Sequence, residues 1–482
     1  MSFWDFGLWS GLVQFGVICL FIIVANILRR YIPFLRNSLL PTALIGGLIA
    51  FIFRSIGWLD FISQNFLDGI TYHTMAIGFI ALALKQQYGR KNDNMKKGMM
   101  KDGINAGATI VGTYLIQGII GLGITILLAA TFLPWLFEAS GILTAIGLGQ
   151  GQGQSNSFGR LYEELGFSGG QSFALSIASI GILIGSIISV IYINILKRKG
   201  KINIKQIEKA SKIVEADTED EIPLSEPVDR MTMTICVIMF IFMLTFAFLF
   251  GFNHIFIESG MFGEFGENTL RPLIFGFNFI VGMLFAFLYK KIFKTLKRRG
   301  IIKHQYTSNY SLNRIGGTMF DFMIIAGILL IDIHVLARLI LPLILLCLFG
   351  TIATFYYLKI VAKRLAKGYE EIHFIGMFAM LTGKISTGIA IIRLIDPGLK
   401  TKASDNLVLG SSFAVVFGFP MMFMLALAPT QPLLTLGVLI LLFTAINIFL
   451  FRERIFRRRR KTVPADEVAE EIEIETPLST SS

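Results

Sequence analysis

The sequence predicts an all-helical protein that crosses a membrane many times, and two observations support this fold class. The first is composition: 54% of the 482 residues are hydrophobic and only 16% are charged, with a mean hydropathy of +0.68. Soluble domains carry about 25% charged residues. The second is pattern, because apolar runs of about 18 residues or more recur from end to end, and each can cross about 30 Å of hydrocarbon.

The net charge of +12 does not indicate a nucleic-acid partner, because the lysines and arginines cluster in short loops beside apolar runs. Cytoplasmic loops of membrane proteins have this character. The expected partner is therefore a lipid bilayer, with the chain in the plasma membrane. Cys19, Cys236 and Cys347 lie inside apolar runs without metal-ligand spacing, so we expect neither a disulfide nor a cofactor.

Eleven spans follow in chain order, each an apolar run bounded by charged or turn-forming residues. The first lacks a basic leader segment and a small-residue cleavage site, so it is a span and not a signal peptide. Pro41 opens the second, and clusters of Lys and Arg end the first, third, fifth, seventh, ninth and eleventh. The predicted spans are residues 8–28, 39–56, 69–84, 104–128, 173–196, 231–252, 273–289, 315–333, 339–358, 408–428 and 433–451.

The distribution of positive charge predicts the orientation of these spans. Placing every basic loop in the cytoplasm puts the N-terminus outside and the C-terminus inside. The predicted cytoplasmic segments are residues 29–37, 85–103, 197–229, 290–313, 359–371 and 452–482. This arrangement requires that two further segments, residues 139–167 and 372–396, each enter and leave on one side as re-entrant hairpins. A hairpin arm of about ten helical residues covers about 15 Å, roughly half the hydrocarbon thickness.

The two halves of the chain then match as two inverted five-helix repeats. Five spans begin outside and five begin inside, and each half carries its hairpin between its fourth and fifth spans. Such inverted repeats are typical of secondary transporters. The predicted division is a first repeat (1–196), a cytoplasmic linker (197–229), a second repeat (230–428), an extra C-terminal span (429–451) and a cytoplasmic tail (452–482).

The two hairpins contain the polar residues that best indicate a binding site. Residues 147–158 read G-L-G-Q-G-Q-G-Q-S-N-S-F, and such polar side chains are costly in hydrocarbon unless they line a cavity or water. Carbonyls and hydroxyls at such a tip suit Na⁺, and helix N-termini favour a carboxylate. The candidate binding residues are Gly151, Gln152, Gly153, Gln154, Ser155, Asn156 and Ser157 in the first tip and Thr382, Gly383, Lys384, Ser386 and Thr387 in the second. The oxygens for a Na⁺ site would come from Ser155, Asn156, Ser386 and Thr387.

Other features of the spans have competing interpretations. Lys384 has three open roles: pairing with a substrate carboxylate, replacing the coupling cation with a tethered charge, or reaching to the cytoplasmic interface. Asp321 lies inside the eighth span and indicates a cation or proton site, and the alternative is a partner for a buried cation such as Lys384. Gly181 and Gly185 in the fifth span instead fit close helix packing.

Over roughly residues 5–430 the chain resembles the bacterial sodium–glutamate symporter family. The resemblance rests on L-P-T-A-L-I-G-G-L-I-A (40–50), on Y-E-E-L-G-F (162–167) after the glycine-rich tip, and on L-T-G-K-I-S-T-G-I-A (381–390). In the first tip the family's Gly-Gly-His-Gly-Thr falls on residues 150–154, where only two glycines match. In the second, the family's Ala-Thr-Pro-Thr falls on residues 384–387, where only the last threonine matches.

The resemblance implies cation-driven uptake of an anionic amino acid by alternating access around the two hairpins. We therefore expect Na⁺-coupled symport of glutamate or a similar small carboxylate. Because the family's His and Thr are missing from the first tip, proton coupling and transport of another organic anion stay open. A channel is less favoured because it needs no opposed hairpins, and the five scattered histidines offer no constellation for a membrane enzyme. The sequence leaves open whether two copies form a homodimer.

Overall fold

A computed structural model describes residues 4–85, 93–200, 230–301, 307–396 and 401–452. Within these ranges the chain is helical and contains no strand, as the sequence predicts. Most of the predicted cytoplasmic linker and tail lies outside the described residues, as do parts of two basic loops.

The helices are labelled here in chain order. Those of the N-terminal part are α1 (Phe6–Tyr31), α2 (Pro33–Asn37), α3 (Thr42–Ser55), α4 (Gln64–Leu84), α5 (Asp93–Thr131), α6 (Leu143–Gln150), α7 (Gln152–Glu164) and α8 (Gly170–Arg198). Those of the C-terminal part are α9 (Arg230–Phe252), α10 (Arg271–Gly276), α11 (Asn278–Arg298), α12 (Asn309–Leu329), α13 (Ile333–Leu365), α14 (Glu370–Leu381), α15 (Ile385–Ile395), α16 (Ala403–Phe417), α17 (Phe419–Leu427) and α18 (Pro432–Leu450).

Side-chain caps fix the start of several spans. Asp5, Ser63, Ser308 and Asp332 precede α1, α4, α12 and α13, and each side chain accepts a hydrogen bond from a backbone N–H of the first turn. These N–H groups have no partner within the helix, so a cap of this kind contributes about 1 kcal/mol. The polar residues between apolar runs therefore mark helix starts.

Eight of the eleven predicted spans are single helices that are long and apolar enough to cross a membrane. The other three differ. The second is a helix of 14 residues, α3, the seventh is interrupted at Phe277, and the tenth is interrupted at Gly418. Pro420 explains the last interruption, because a proline has no N–H to continue the helical hydrogen bonds.

The helices pack around two separate hydrophobic cores. The first, the six-helix bundle, consists of α1, α3, α4, α9, α11 and α12. The second, the hairpin bundle, consists of α5 to α8 and α13 to α18. Within the six-helix bundle α4 packs on α12, α3 packs on α12, and α11 packs on α4; in the hairpin bundle α5 packs on α13. The residues that the sequence predicts as hairpin tips lie where the two bundles meet.

Candidate functional site

The first hairpin, α6 and α7, is interrupted at a single residue, Gly151. Its backbone angles, φ +89° and ψ −167°, fall in a region that is open essentially only to glycine. The other glycines of the motif lie in helices. A Cβ on Gly153 would collide with the sulfurs of Met75 and Met323, so this glycine permits close packing. The interruption is therefore narrower than the four-glycine pattern suggests, and the residues from Gln152 to Ser157 form the first turns of α7.

The second hairpin, α14 and α15, is interrupted over the three residues Thr382 to Lys384. This tip packs against α8: a Cβ on Gly181 would lie 2.6 Å from the Thr382 carbonyl oxygen, and one on Gly185 would lie 2.6 Å from its hydroxyl. These contacts agree with the interpretation of both α8 glycines as packing residues. The two tips also meet, because a Cβ on Gly151 would lie 3.8 Å from the Gly383 carbonyl oxygen.

Gln117 of α5, which the sequence alone did not indicate, contacts both hairpins. Its Nε2 donates to the Leu381 carbonyl (3.0 Å) and to the Thr354 hydroxyl (2.9 Å). The first of these bonds satisfies a carbonyl at the end of α14, which has no partner within its helix. A Cβ on Gly149 would lie 2.8 Å from Gln117 Oε1, so the same side chain abuts the first hairpin. The feature of the sequence that could have identified Gln117 is a glutamine in the middle of an apolar span.

A cavity of about 580 Å³ lies between the two bundles and is lined by parts of both tips. The predicted residues that line it are Gly151, Gln152, Gln154, Asp321, Gly383, Lys384, Ser386 and Thr387. The predicted residues that do not line it are Gly153, Ser155, Asn156, Ser157 and Thr382. The structure thus brings together the two tips and Asp321. Of the four residues predicted for Na⁺, the cavity includes those of the second tip only.

The charged residues among those that line the cavity are Arg29, Lys85, Lys384 and Asp321, three cations and one carboxylate. Lys384 Nζ donates to Asp321 Oδ1 at 3.0 Å, and the two side chains are 23% and 43% exposed. This ion pair joins the second hairpin to α12 of the six-helix bundle. The sequence left two interpretations of Asp321 open, a cation or proton site and a partner for a buried cation such as Lys384. The observed contact corresponds to the second.

A second ion pair joins the first hairpin to the six-helix bundle. Arg160 of α7 donates to Asp68 Oδ2 of α4 at 2.8 Å. Gln171 Nε2 donates to the other Asp68 oxygen (2.5 Å) and to Asn156 Oδ1 (2.8 Å). The Asp68 side chain is only 8% exposed. Asn156 therefore belongs to a buried network outside the cavity, and the sequence alone indicated neither Asp68 nor Gln171 as part of it.

Several oxygens near the first tip have no hydrogen-bond partner within the described structure. These buried atoms are Gln152 Oε1, Ser155 Oγ and Ser157 Oγ. In the second tip, Thr387 Oγ1 is also buried and without a hydrogen-bond partner. The Nε2 of Gln152 donates to Ser179 Oγ at 2.8 Å. Buried oxygens without a donor are costly, and neutral oxygens of this kind can coordinate an alkali cation.

Non-helical, polar interruptions of apolar helices beside a cavity are typical of membrane transporters. Residues 10–391 match the family described as sodium/glutamate symporter. Because this match covers most of the chain, the chain belongs to the sodium/glutamate symporter family and is a multi-pass membrane transporter, as the resemblance implied. No curated protein matches the chain, and no solved structure matches it.

Proposed function

We propose that this chain carries glutamate or a similar small carboxylate into the cell together with a cation, by alternating access around the two hairpins. The observation that carries the proposal is the cavity that both tips line. Its charged residues, three cations and one carboxylate, leave a formal excess of two positive charges. A cavity with this charge attracts an anion.

The helix termini at the cavity support the same substrate class. The first turns of α7 and α15 line it, through Gln152 and Gln154 on one side and Ser386 and Thr387 on the other. Helix N-termini present unpaired N–H groups and a partial positive charge, so they favour a carboxylate. Two such termini suit a substrate that carries two carboxylates.

Sodium is the proposed coupling ion. The unpartnered oxygens of Gln152, Ser155 and Thr387 are ligands of the type that a hard alkali cation takes, and no cluster of three His, Cys, Asp or Glu that could hold a metal occurs among the described residues. Proton coupling is the alternative, with Asp321 as the titratable carboxylate in the cavity. No histidine lines the cavity within the described chain.

We further propose that the chain is an inverted repeat, with a first repeat (1–196), a second repeat (230–428) and re-entrant hairpins. The helix pairings support this: the third spans of the two repeats, α4 and α12, pack on each other, and the second span of each packs on the third span of the other. The fourth spans, α5 and α13, also pack together. Helix α18 is then the additional span, and it packs on α5.

The proposed orientation puts the N-terminus outside, so that the cavity opens to the cytoplasm. Arg29, Lys85 and Asn313 line the cavity, and all three belong to segments with a basic, cytoplasmic character. On the other side, Arg160 and Gln171 both donate to the buried carboxylate of Asp68 and so close the contact between the first hairpin and α4. This arrangement corresponds to an inward-facing state.

Uptake into proteoliposomes tests the proposal. Purified protein is reconstituted, and labelled glutamate uptake is measured with an inward Na⁺ gradient, with an inward proton gradient, and without a gradient. Accumulation above equilibrium that requires Na⁺ and is abolished by a sodium ionophore is the expected result. Accumulation driven by a proton gradient alone would identify the proton as the coupling ion, with Asp321 as the carboxylate that binds it. Flux that reaches equilibrium without any gradient would contradict coupled transport.

A further inference from the structure

The ion pair between Lys384 and Asp321 differs from its counterpart between Arg160 and Asp68 in one respect. Both pairs connect a hairpin to the six-helix bundle, but only the first lines the cavity. The Asp321 side chain is 43% exposed, whereas that of Asp68 is 8% exposed. A solute in the cavity can therefore reach both members of the Lys384–Asp321 pair and can compete for them.

We propose that Lys384 and Asp321 recognise an α-amino acid by exchanging their mutual bond for bonds to the substrate. A substrate carboxylate takes Lys384, and the substrate ammonium takes Asp321. The exchange replaces one ion pair by two and leaves neither Lys384 nor Asp321 unpaired. This inference rests on the proposed function, and it names the two residues that would recognise the ammonium group and one carboxylate of the substrate.

The exchange also explains how the cavity would distinguish glutamate from a dicarboxylate of the same length. Glutarate has two carboxylates but no ammonium, so its binding to Lys384 would leave Asp321 in the cavity without a partner. An unpaired charge in a partly buried site is costly. The pair therefore contributes to selectivity. Only a substrate with both a carboxylate for Lys384 and an ammonium for Asp321 can separate the two residues and leave neither without a partner.

Opening the pair has a second consequence, because the bond connects α15 to α12. While it is formed, the tip of the second hairpin is attached to the six-helix bundle. A bound amino acid replaces this direct bond by a bridge through the substrate. A ligand can shift a conformational equilibrium only through different contacts in the two states, and the exchange of partners at Lys384 supplies such a difference.

The test is competition with labelled glutamate uptake by wild-type protein and by Asp321→Asn. In the wild type, we expect glutamate to compete at least about tenfold better than glutarate. In Asp321→Asn, Lys384 has no internal partner, so glutarate gains about tenfold to a hundredfold, the effect of one charged hydrogen bond. Glutamate changes little, because it loses its ammonium partner but no longer has to break the pair. The preference for glutamate therefore disappears.

The matched control is Asp68→Asn, which breaks the other ion pair between the bundles without touching the cavity. It is expected to leave the ratio of the two competitors unchanged. Asp321→Glu, which keeps the charge, should retain the preference. If Asp321→Asn shows no uptake, the same competitors are compared through their effect on the thermal stability of the purified variant.

The outcomes separate the two proposals. An unchanged ratio of glutamate to glutarate in Asp321→Asn would overturn the exchange and would make the pair a structural contact. Wild-type protein that does not accumulate glutamate at all would instead contradict the proposed function. A parallel loss for both competitors in Asp321→Asn, by the same factor, would also count against the exchange.

Discussion

The interruption at Gly151 gives the most direct test of the site geometry, through the substitution Gly151→Ala. Space is not the obstacle, since a Cβ there would lie 3.8 Å from its nearest neighbour, the Gly383 carbonyl oxygen. The obstacle is the backbone conformation, φ +89° and ψ −167°. Such a conformation costs a residue with a Cβ about 1–3 kcal/mol.

The net effect is smaller than this strain. Replacing glycine by alanine restricts the unfolded chain and so returns about 0.4–1 kcal/mol of stability. The difference, about 1.5 kcal/mol, is the expected loss of folding stability, whereas within the folded protein the strain alone lowers the population of the observed tip conformation roughly tenfold. We expect Gly151→Ala to fold, to have a lower midpoint of thermal denaturation in detergent, and to transport about tenfold more slowly in proteoliposomes.

Gly123→Ala is the matched control. Gly123 lies in α5 of the same bundle, and a Cβ there would have nothing within 4 Å. In a helix this change stabilises by up to about 1 kcal/mol, so the control should equal or exceed the wild type in both measurements. If Gly151→Ala behaves as Gly123→Ala does, the reasoning from the positive φ at the tip is wrong.

Two further substitutions test the contacts around the tips. Gln117→Leu removes the donor to the Leu381 carbonyl and leaves that buried oxygen unsatisfied. We expect the protein to lose about 1–3 kcal/mol of stability, measured as a lower denaturation midpoint, and to take up substrate more slowly. An unchanged midpoint would show that this bond does not hold the second tip. Gly181→Val places side-chain atoms against the Thr382 carbonyl, which a Cβ alone would approach to 2.6 Å, and should reduce uptake at least about tenfold, whereas Gly123→Val should not.

The apolar runs predicted most of the fold, because membrane helices are selected by length and hydropathy alone. Two of the three spans that differ show features that this criterion ignores. In the tenth, Gly418 and Pro420 interrupt the helix, although the run from 408 to 428 contains no charged residue. In the seventh, α11 continues to Arg298, beyond the predicted end at residue 289, because helical hydrogen bonds do not depend on hydropathy.

The candidate site could be predicted only in part. The sequence located both tips, because glycine and consecutive polar residues are conspicuous in apolar surroundings. It could not determine which tip residues line the cavity, since that depends on how α7 is rotated about its axis. The observed rotation places Gln154 at the cavity and Asn156 in a buried network with Gln171. Nor did it select Gln117 or Asp68, whose roles come from residues far away in the chain.

The two ion pairs between the bundles differ in how far a solute can reach them. Each hairpin contributes one cation, Arg160 or Lys384, and the six-helix bundle contributes one carboxylate to each. The two carboxylates differ in exposure, 8% for Asp68 and 43% for Asp321. In the alternating-access cycle that we propose, a solute that enters from the other side must pass the first hairpin and its ion pair. We therefore expect the contacts of Asp68 with Arg160 and Gln171 to open in the outward-facing state of the proposed cycle.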